Sequence, residues 1–405
     1  MQTKNAFFIT ITISILTILL NQLNAWHISY PISFLIIIAI SFISIYIQKQ
    51  IDKNTLENKP NFYNLDILKY ICAVLIMILH LRPFHYSLYP DVDFALNNII
   101  TRICVPVFFM ITGYFVAKKE HNDPKYINNY CKKMIPLYLI YSLAYLPILI
   151  SFAYDNRLFV MSYIQQIPHF LLLPLLVVGY PLVMFIALIY SGIYYHLWYF
   201  PAVMLSLWTL SKWKKHFDMR YLLLISFILL LFGATETYYG VLPLTFTQII
   251  DFYFKIFITT RNFLFFGLFY TVLGYYVGSK DKLYTHHCFI ALIICGFLLS
   301  FEAIFLRYTD RLNSNILLSC IPFTYFLFVS TIFISQKTTK IAFAFRDHSK
   351  YYYLVHPMII YLMIRLGVID HYTSPYVQIL LIWVCTHILS LILAKIKKHH
   401  RDWPI

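Results

Sequence analysis

Charge is scarce in this sequence, and so are the short motifs that mark most soluble enzymes. Charged residues make up 12% of the 405 residues, which is too little polar surface to cover a soluble globule of this size. The chain has no glycine-rich phosphate loop, no GxSxG or HExxH sequence, and no CxxC pair or Cys/His cluster. These absences argue against P-loop chemistry, a nucleophile elbow and a bound metal ion.

A nucleic-acid partner and a disulfide framework are also disfavoured. The formal net charge is +15, but the Lys and Arg residues fall in short clusters between apolar runs, where they indicate membrane orientation. The seven Cys residues lie mostly inside those runs, so we interpret them as small core residues. The class that remains is a protein whose surroundings are the lipid bilayer.

The apolar runs predict an all-α, polytopic integral membrane protein. Hydrophobic residues make up 60% of the chain, and the runs are helix-length without the alternation of barrel strands. We predict about twelve transmembrane helices, two at the N-terminus, retained because no cleavage site follows the first, and ten in a core. Their predicted limits are 7–23, 30–48, 65–82, 97–117, 133–153, 193–211, 219–235, 261–279, 287–306, 314–335, 351–368 and 376–396.

The positive-inside rule orients these spans in the cell membrane and places both termini in the cytoplasm. Residues 1–60 are predicted to form the two leading helices with a basic linker, and residues 61–405 a ten-helix membrane domain. The run 163–192 contains three Pro residues, and a single crossing there would put the basic KWKK sequence outside. We therefore predict broken, re-entrant or interfacial helices on the outer side. The clusters expected to be cytoplasmic are 48–59, 118–133, 212–215, 280–282 and 337–350.

One predicted helix, at 65–82, carries an ionisable stripe that membrane insertion does not require. Lys69 and His80 are eleven positions apart, so they fall within about 20° of one another on one face, roughly 16 Å apart along the axis. Asp66 lies one turn before Lys69. A charge inside a bilayer costs on the order of 2.5–3.5 kcal/mol even on lenient scales, so the stripe is a candidate functional site. We interpret this helix as the wall of a polar passage.

Other polar groups fall at two predicted depths. The set at the outer depth of His80 is Arg102, His196, Arg261 and Glu302, and the set at the inner depth of Lys69 is Tyr353 and His356.

Structural alternatives remain open for four of these residues. Arg261 lies near a helix end and can snorkel to the headgroups. His196 suits an aromatic belt. Glu302 can neutralise an arginine for folding alone, and His356 can pack or cap a helix start.

The chemistry that these residue types allow is acyl transfer without a metal. A neutral imidazole is well suited to accept a proton near physiological pH, because the unperturbed pKa of histidine is about 6.5. A buried arginine such as Arg102 can stabilise an oxyanion or orient a carbonyl.

Five segments resemble the type 3 membrane acyltransferases, in order over about 60–396. In that family an Arg-x10-His pair is the hallmark, and here Lys69 replaces the Arg, as in the membrane domain of vancomycin-resistance serine racemases. The segments are Asp66-x-x-Lys69-x10-His80, Arg102-Ile-Cys-Val-Pro-Val-Phe-Phe-Met-Ile-Thr-Gly-Tyr, His196-Leu-Trp-Tyr-Phe, Arg261-Asn-Phe-Leu-Phe-Phe-Gly with Leu-Gly at 273–274, and Tyr353-Leu-Val-His356-Pro.

The resemblance implies an O-acetyltransferase that uses a cytoplasmic acyl-CoA, usually acetyl-CoA, as donor substrate and keeps no permanently bound cofactor. The acceptor would be a hydroxyl of an extracytoplasmic glycan or cell-wall polymer. Lys69, Tyr353 and His356 are then expected at the donor end, while His80 acts as the base and Arg102 stabilises the oxyanion.

Two other classes remain as alternatives. Polar groups at two depths and Pro-broken helices also suit a small-molecule, amino-acid-like transporter, although no cluster is predicted at the midplane. A non-catalytic membrane scaffold would not account for the cost of burying the ionisable stripe.

Overall fold

A computed structural model describes residues 30–56, 62–165, 173–257, 259–283, 285–309, 311–334 and 340–399, and all regular structure in them is helical. The predicted all-α class is therefore confirmed, whereas the predicted span 7–23 lies outside the described residues. The helices are α1 (Tyr30–Leu56), α2 (Tyr63–Leu81), α3 (Pro90–Ala95), α4 (Cys104–Glu120), α5 (Tyr126–Asp155), α6 (Arg157–Ile164), α7 (Tyr180–Tyr190), α8 (Tyr199–Trp213), α9 (Met219–Ala234), α10 (Leu244–Phe257), α11 (Leu268–Gly278), α12 (Cys288–Arg307), α13 (Cys320–Phe333), α14 (Lys340–Arg365) and α15 (Pro375–His399).

Several of these helices are long and apolar enough to cross a membrane. Within the described residues they are α2, the continuous stretch Pro90–Glu120 that contains α3 and α4, α5, α12 and α15. Shorter apolar helices lie at Val177–Tyr190, Met219–Ala234, Phe263–Gly278 and Cys320–Phe333. This pattern agrees with the polytopic membrane protein that the sequence predicts.

In the run 163–192, Pro174 and Pro181 lie within one helical stretch that continues to Tyr190, so neither of these prolines breaks the helix. Residues 173–192 form a short π-helical turn, Leu175–Gly179, that continues into α7, and no residue of α7 is buried. Residues 166–172 lie outside the described residues. The re-entrant path of this run therefore stays a prediction.

A close approach of the two backbones, at Gly113 and at Gly274, joins α4 and α11. A Cβ built on Gly113 would lie 2.1 Å from the carbonyl oxygen of Thr271, and one built on Gly274 would lie 2.0 Å from that of Met110. Only glycine allows the two backbones to approach this closely, as in other membrane helix pairs that use small residues. The glycines of the Thr-Gly-Tyr and Leu-Gly sequences therefore serve helix packing.

Helices α2 and α14 lie side by side and run in the same direction. The side chain of Asp66, near the start of α2, contacts that of Arg346 near the start of α14 at 3.0 Å. Further along both helices, His80 contacts His356 at 2.7 Å. This parallel pair places the ionisable stripe of α2 against polar residues of α14.

Helix α14 corrects one predicted boundary. The sequence predicts a span at 351–368, after a basic cluster at 337–350, whereas the structure begins α14 at Lys340. The charged residues continue the same helix instead of forming a loop, because charge does not by itself end a helix. Tyr353 and His356 consequently lie in the middle of a helix and not near its start.

Helix α1 packs on the rest of the bundle. The Gln48 amide donates to the carbonyl of Thr285 at 2.9 Å, and its oxygen accepts from the amide of Phe289 at 2.9 Å. Ile51 is fully buried within the main hydrophobic core. The leading segment, as far as it is described, thus contributes to the same core as the later helices.

Candidate active site

Two cavities lie along the α2 and α14 pair. The Lys69 cavity has a volume of about 630 Å³, and its charged lining residues are Asp66, Lys69, Lys119, Arg346 and Lys350. The His80 cavity is much smaller, about 50 Å³, and its polar lining residues are His80, Thr101, Arg102, His196, Arg261, Asn315 and Tyr353. Tyr353 lines both cavities. Apart from Glu302 and His356, the residues predicted at two depths therefore line one or both of two cavities that share Tyr353.

His80 is held by a second histidine. Its Nδ1 lies 2.7 Å from Nε2 of His356, and Nδ1 of His356 lies 2.7 Å from the carbonyl oxygen of Tyr352. His356 is fully buried. The prediction that His356 faces the Lys69 end is wrong in placement, because the longer α14 carries it to the level of His80.

Arg102 is fixed by irregular backbone at the start of α4. A π-helical turn, Leu96–Ile100, and a 3₁₀ turn, Thr101–Ile103, interrupt the helix before Cys104. The Nε of Arg102 donates to the carbonyl of Asn97 at 2.8 Å, and Nη1 donates to Oδ1 of Asn315 at 3.2 Å. Such π bulges often occur at functional sites, because they free a carbonyl for a side chain.

Glu236, which the sequence analysis missed, supports Arg102 indirectly, through Asn315. Its Oε1 accepts from Nδ2 of Asn315 at 3.1 Å, and its Oε2 accepts from the amide and hydroxyl of Thr260 at 3.0 and 2.5 Å. The residue is 2% exposed. Its carboxylate thereby orients Asn315, whose oxygen faces Arg102.

Arg261 completes a positively charged wall. It precedes a π-helical turn, Phe263–Gly267, whose first amides donate to the side chain of Asn262 at 2.9 and 3.1 Å. The guanidinium lies 5.3 Å from the ring centroid of Trp198, a cation–π distance. Arg102 and Arg261 both line the His80 cavity, whose described lining includes no carboxylate. The cavity is therefore suited to a negatively charged or polarised oxygen.

His196 lies inside the protein and not at an aromatic belt. It is 1% exposed, and its ring contacts those of Tyr145, Tyr353 and His356 at centroid distances of 4.8, 5.6 and 5.9 Å. Its carbonyl accepts a hydrogen bond from the hydroxyl of Tyr353. This bond holds the tyrosine ring at the boundary between the two cavities.

The Lys69 end is an ion cluster. Nζ of Lys69 lies 3.0 Å from Asp66, whose other oxygen lies 3.0 Å from Nε of Arg346. Asp66 is almost fully buried, whereas the Arg346 side chain is half exposed. Lys119 and Lys350 also line this cavity, so its charged lining consists of four cations and one carboxylate.

Glu302 is not part of either cavity. Its oxygens accept from the amides of Leu318 and Ser319 at 2.6 and 2.7 Å and from the hydroxyl of Tyr238. It therefore anchors the start of α13, next to the positive end of that helix. Of the two interpretations of Glu302, the structural one therefore agrees with its contacts, but within the described residues its partners are amides and a hydroxyl, not an arginine.

These features define an all-helical, multi-pass membrane protein that encloses three histidines, His80, His196 and His356, and two arginines. The chain belongs to the type 3 membrane acyltransferase family, since the family model described as an acyltransferase domain matches residues 62–395. The family that the sequence motifs suggest is thereby confirmed.

Its relatives include proteins named as racemases. An amino-acid racemase of Enterococcus faecalis is 25% identical in an alignment over 357 residues that covers 83% of this chain and 46% of that protein. A serine/alanine racemase of Enterococcus gallinarum is 29% identical in an alignment over 227 residues that covers 54% of this chain and 29% of that protein. This chain spans less than half the length of each, and no solved structure matches it.

Proposed function

We propose that the protein is a membrane O-acyltransferase that moves an acyl group, acetyl in the simplest case, from acyl-CoA to a hydroxyl of a cell-envelope glycan or polymer. The observation that carries the proposal is the pair of cavities: a large cationic one that meets, at Tyr353, a small one lined by His80 and two arginines.

The Lys69 cavity suits the donor. The charged residues that line it are four cations and one carboxylate, a lining that suits the phosphates of a coenzyme A, and its aromatic and aliphatic residues suit the apolar arm. His80 lies roughly 16 Å from Lys69 along α2, a distance that an extended pantetheine arm can cover. The thioester therefore reaches the His80 cavity while the phosphates stay at the Lys69 end.

The His80 cavity suits the transfer step. His80 accepts the proton of the acceptor hydroxyl, and the oxygen attacks the thioester carbonyl carbon. Arg102 and Arg261 stabilise the oxyanion that forms there. The carbon–sulfur bond then breaks, and the coenzyme A thiolate takes the proton back from His80. The products are an ester and a free thiol.

The orientation that the basic clusters predict places the acceptor outside the cytoplasm. The Lys69 end would then face the cytoplasm, where acyl-CoA is found, and the His80 cavity would lie toward the outer side. No separate carrier of the acyl group is needed in this arrangement.

Right-side-out vesicles loaded with radiolabelled acetyl-CoA test the proposal, with isolated envelope glycan added outside as the acceptor. Label should reach the external glycan with the wild type and with His85→Ala, whose side chain is exposed in a loop. It should fall by about 10²–10⁴-fold with His80→Ala. Retention of more than a third of the activity by His80→Ala, or label confined to acceptors sealed inside, would contradict the proposal.

An amino-acid permease is the second candidate, since the relatives are named as racemases, enzymes that act on amino acids. Polar groups between broken helices also occur in transporters. Uptake of labelled L-serine by the same vesicles, independent of acetyl-CoA, would favour transport over acyl transfer.

A further inference from the structure

The contact between His80 and His356 has a direction. Two nitrogens 2.7 Å apart have room for one proton between them, so one histidine donates and the other accepts. A third group decides which one. The carbonyl oxygen of Tyr352 can only accept, so Nδ1 of His356, 2.7 Å away, carries a proton. In its neutral form His356 then has an unprotonated Nε2.

The same reasoning fixes the tautomer of His80. Because Nε2 of His356 is the acceptor, Nδ1 of His80 is the donor and carries its proton. The neutral ring of His80 then has a free lone pair on Nε2. A backbone carbonyl thus sets the protonation of the candidate base through one intervening ring.

We propose that His356 is a positioning residue that holds His80 in the Nδ1–H tautomer and leaves Nε2 as the atom that accepts the acceptor's proton. This inference rests on the acyl transfer proposed above. It assigns His356 to the chemical step, and not to the binding of acyl-CoA.

The role corresponds to that of the third member of a catalytic triad, with a neutral imidazole in place of a carboxylate. When Nε2 of His80 takes the proton of the hydroxyl, the imidazolium keeps its Nδ1–H bond to the lone pair of His356. That hydrogen bond becomes charge-assisted and stabilises the imidazolium. A neutral partner also leaves the positive surplus of Arg102 and Arg261 undiminished at the oxyanion.

Three substitutions at His356 separate this role from packing. His356→Gln keeps an oxygen that can accept from Nδ1 of His80, whereas His356→Leu and His356→Phe remove the acceptor, and Phe retains the ring shape. The matched control is His387→Leu, because His387 bonds the hydroxyl of the same Tyr352 at 2.7 Å but lines neither cavity.

The assay measures acetyl transfer from acetyl-CoA to isolated envelope glycan by purified protein in liposomes. We expect kcat to fall by about 10²–10⁴-fold in the Leu and Phe variants, as for a wrong tautomer or a lost base. We expect the Gln variant to remain within tenfold of wild type and the KM for acetyl-CoA to stay unchanged throughout. The acid limb of the pH profile of kcat/KM should move to lower pH in the Phe variant, because the imidazolium has lost its acceptor.

Each outcome has one meaning. Equal losses for Gln, Leu and Phe with an unmoved acid limb would overturn the inference and leave His356 a packing residue. More than a third of wild-type kcat in His356→Phe would overturn it as well. Both results require an active wild type, so they leave the proposed function standing. Absence of transfer by the wild type would instead overturn the proposed function, and with it this inference.

Discussion

Replacing Gly113 by alanine should disturb the site from a distance. Gly113 lies in α4, which follows Arg102, and it faces α11, which follows Arg261. The contact between these helices therefore sets the spacing of the two arginines.

The magnitude follows from the geometry. The added Cβ would lie 2.1 Å from the carbonyl oxygen of Thr271, whereas such contacts are not found below 3.0 Å, so the backbones must separate by about 0.9 Å. Overpacking of this kind costs about 1–3 kcal/mol of stability. A displacement of about 1 Å at a catalytic group costs about 10²-fold in rate. We expect both effects in Gly113→Ala.

Thermal unfolding in detergent and acetyl transfer in liposomes measure the two effects. Gly296→Ala is the matched control, because its Cβ would meet only the ring edge of Phe323, at 3.3 Å. Wild-type unfolding temperature and turnover in Gly113→Ala would refute the claim that the glycine contact sets the positions of the arginines. A loss of stability with unchanged turnover would refute only the claim that separating the two helices displaces the arginines enough to slow the reaction.

Three further predictions concern single residues. Lys69→Met should raise the KM for acetyl-CoA more than it lowers kcat, because the cation is needed to bind the donor phosphates. Lys69→Arg, which keeps the charge, and the exposed control Lys118→Met should both keep a KM near that of the wild type. Unchanged donor binding in Lys69→Met would contradict the donor-end assignment. Glu236→Gln should lower the unfolding free energy by about 1–3 kcal/mol and also lower turnover, because an NH2 group replaces one of the two oxygens that accept from Asn315 and Thr260. The exposed Asp281→Asn is its control, and an unfolding free energy equal to that of the wild type would contradict a stabilising role for Glu236. A single cysteine at position 214 should react with an impermeant thiol reagent only from the cytoplasmic side, and labelling from outside would overturn the predicted orientation.

The sequence predicts several of the polar residues that line the small cavity, but not the positions of His356 and Glu236, which contact or support them. His80, Arg102, His196 and Arg261 were placed at one depth from helix length and basic clusters alone, and the structure brings them around one cavity. This works because each residue sits at a fixed distance from a membrane boundary that Lys residues mark. His356 was misplaced because its helix starts at Lys340, and a basic segment that continues a helix looks like a loop in the sequence.

Glu236 could not have been assigned from the sequence in this way. It lies in ATETYYG, a polar stretch between two apolar runs, which is typical of a solvent-exposed loop. Its burial depends on Thr260 and Asn315, which are distant in the chain and reach it only when the bundle closes. The one available signal was a lone carboxylate at the depth of two arginines, and Glu302 gave the same signal while serving as a helix anchor.

The position of Tyr353 also has a consequence for the permeability of the protein to ions. A passage continuous from one face to the other would let protons and metal cations run down the membrane potential, which is worth about 2.3 kcal/mol per charge for each 100 mV. The tyrosine lines both cavities, and its hydroxyl donates to the carbonyl of His196, so we expect its ring to separate the two cavities. Arg102 and Arg261 add an electrostatic barrier to cations, as fixed positive charges do in pores that exclude protons. In the proposed reaction, the chain would therefore hold a donor from one side of the membrane and an acceptor from the other without opening a path for ions.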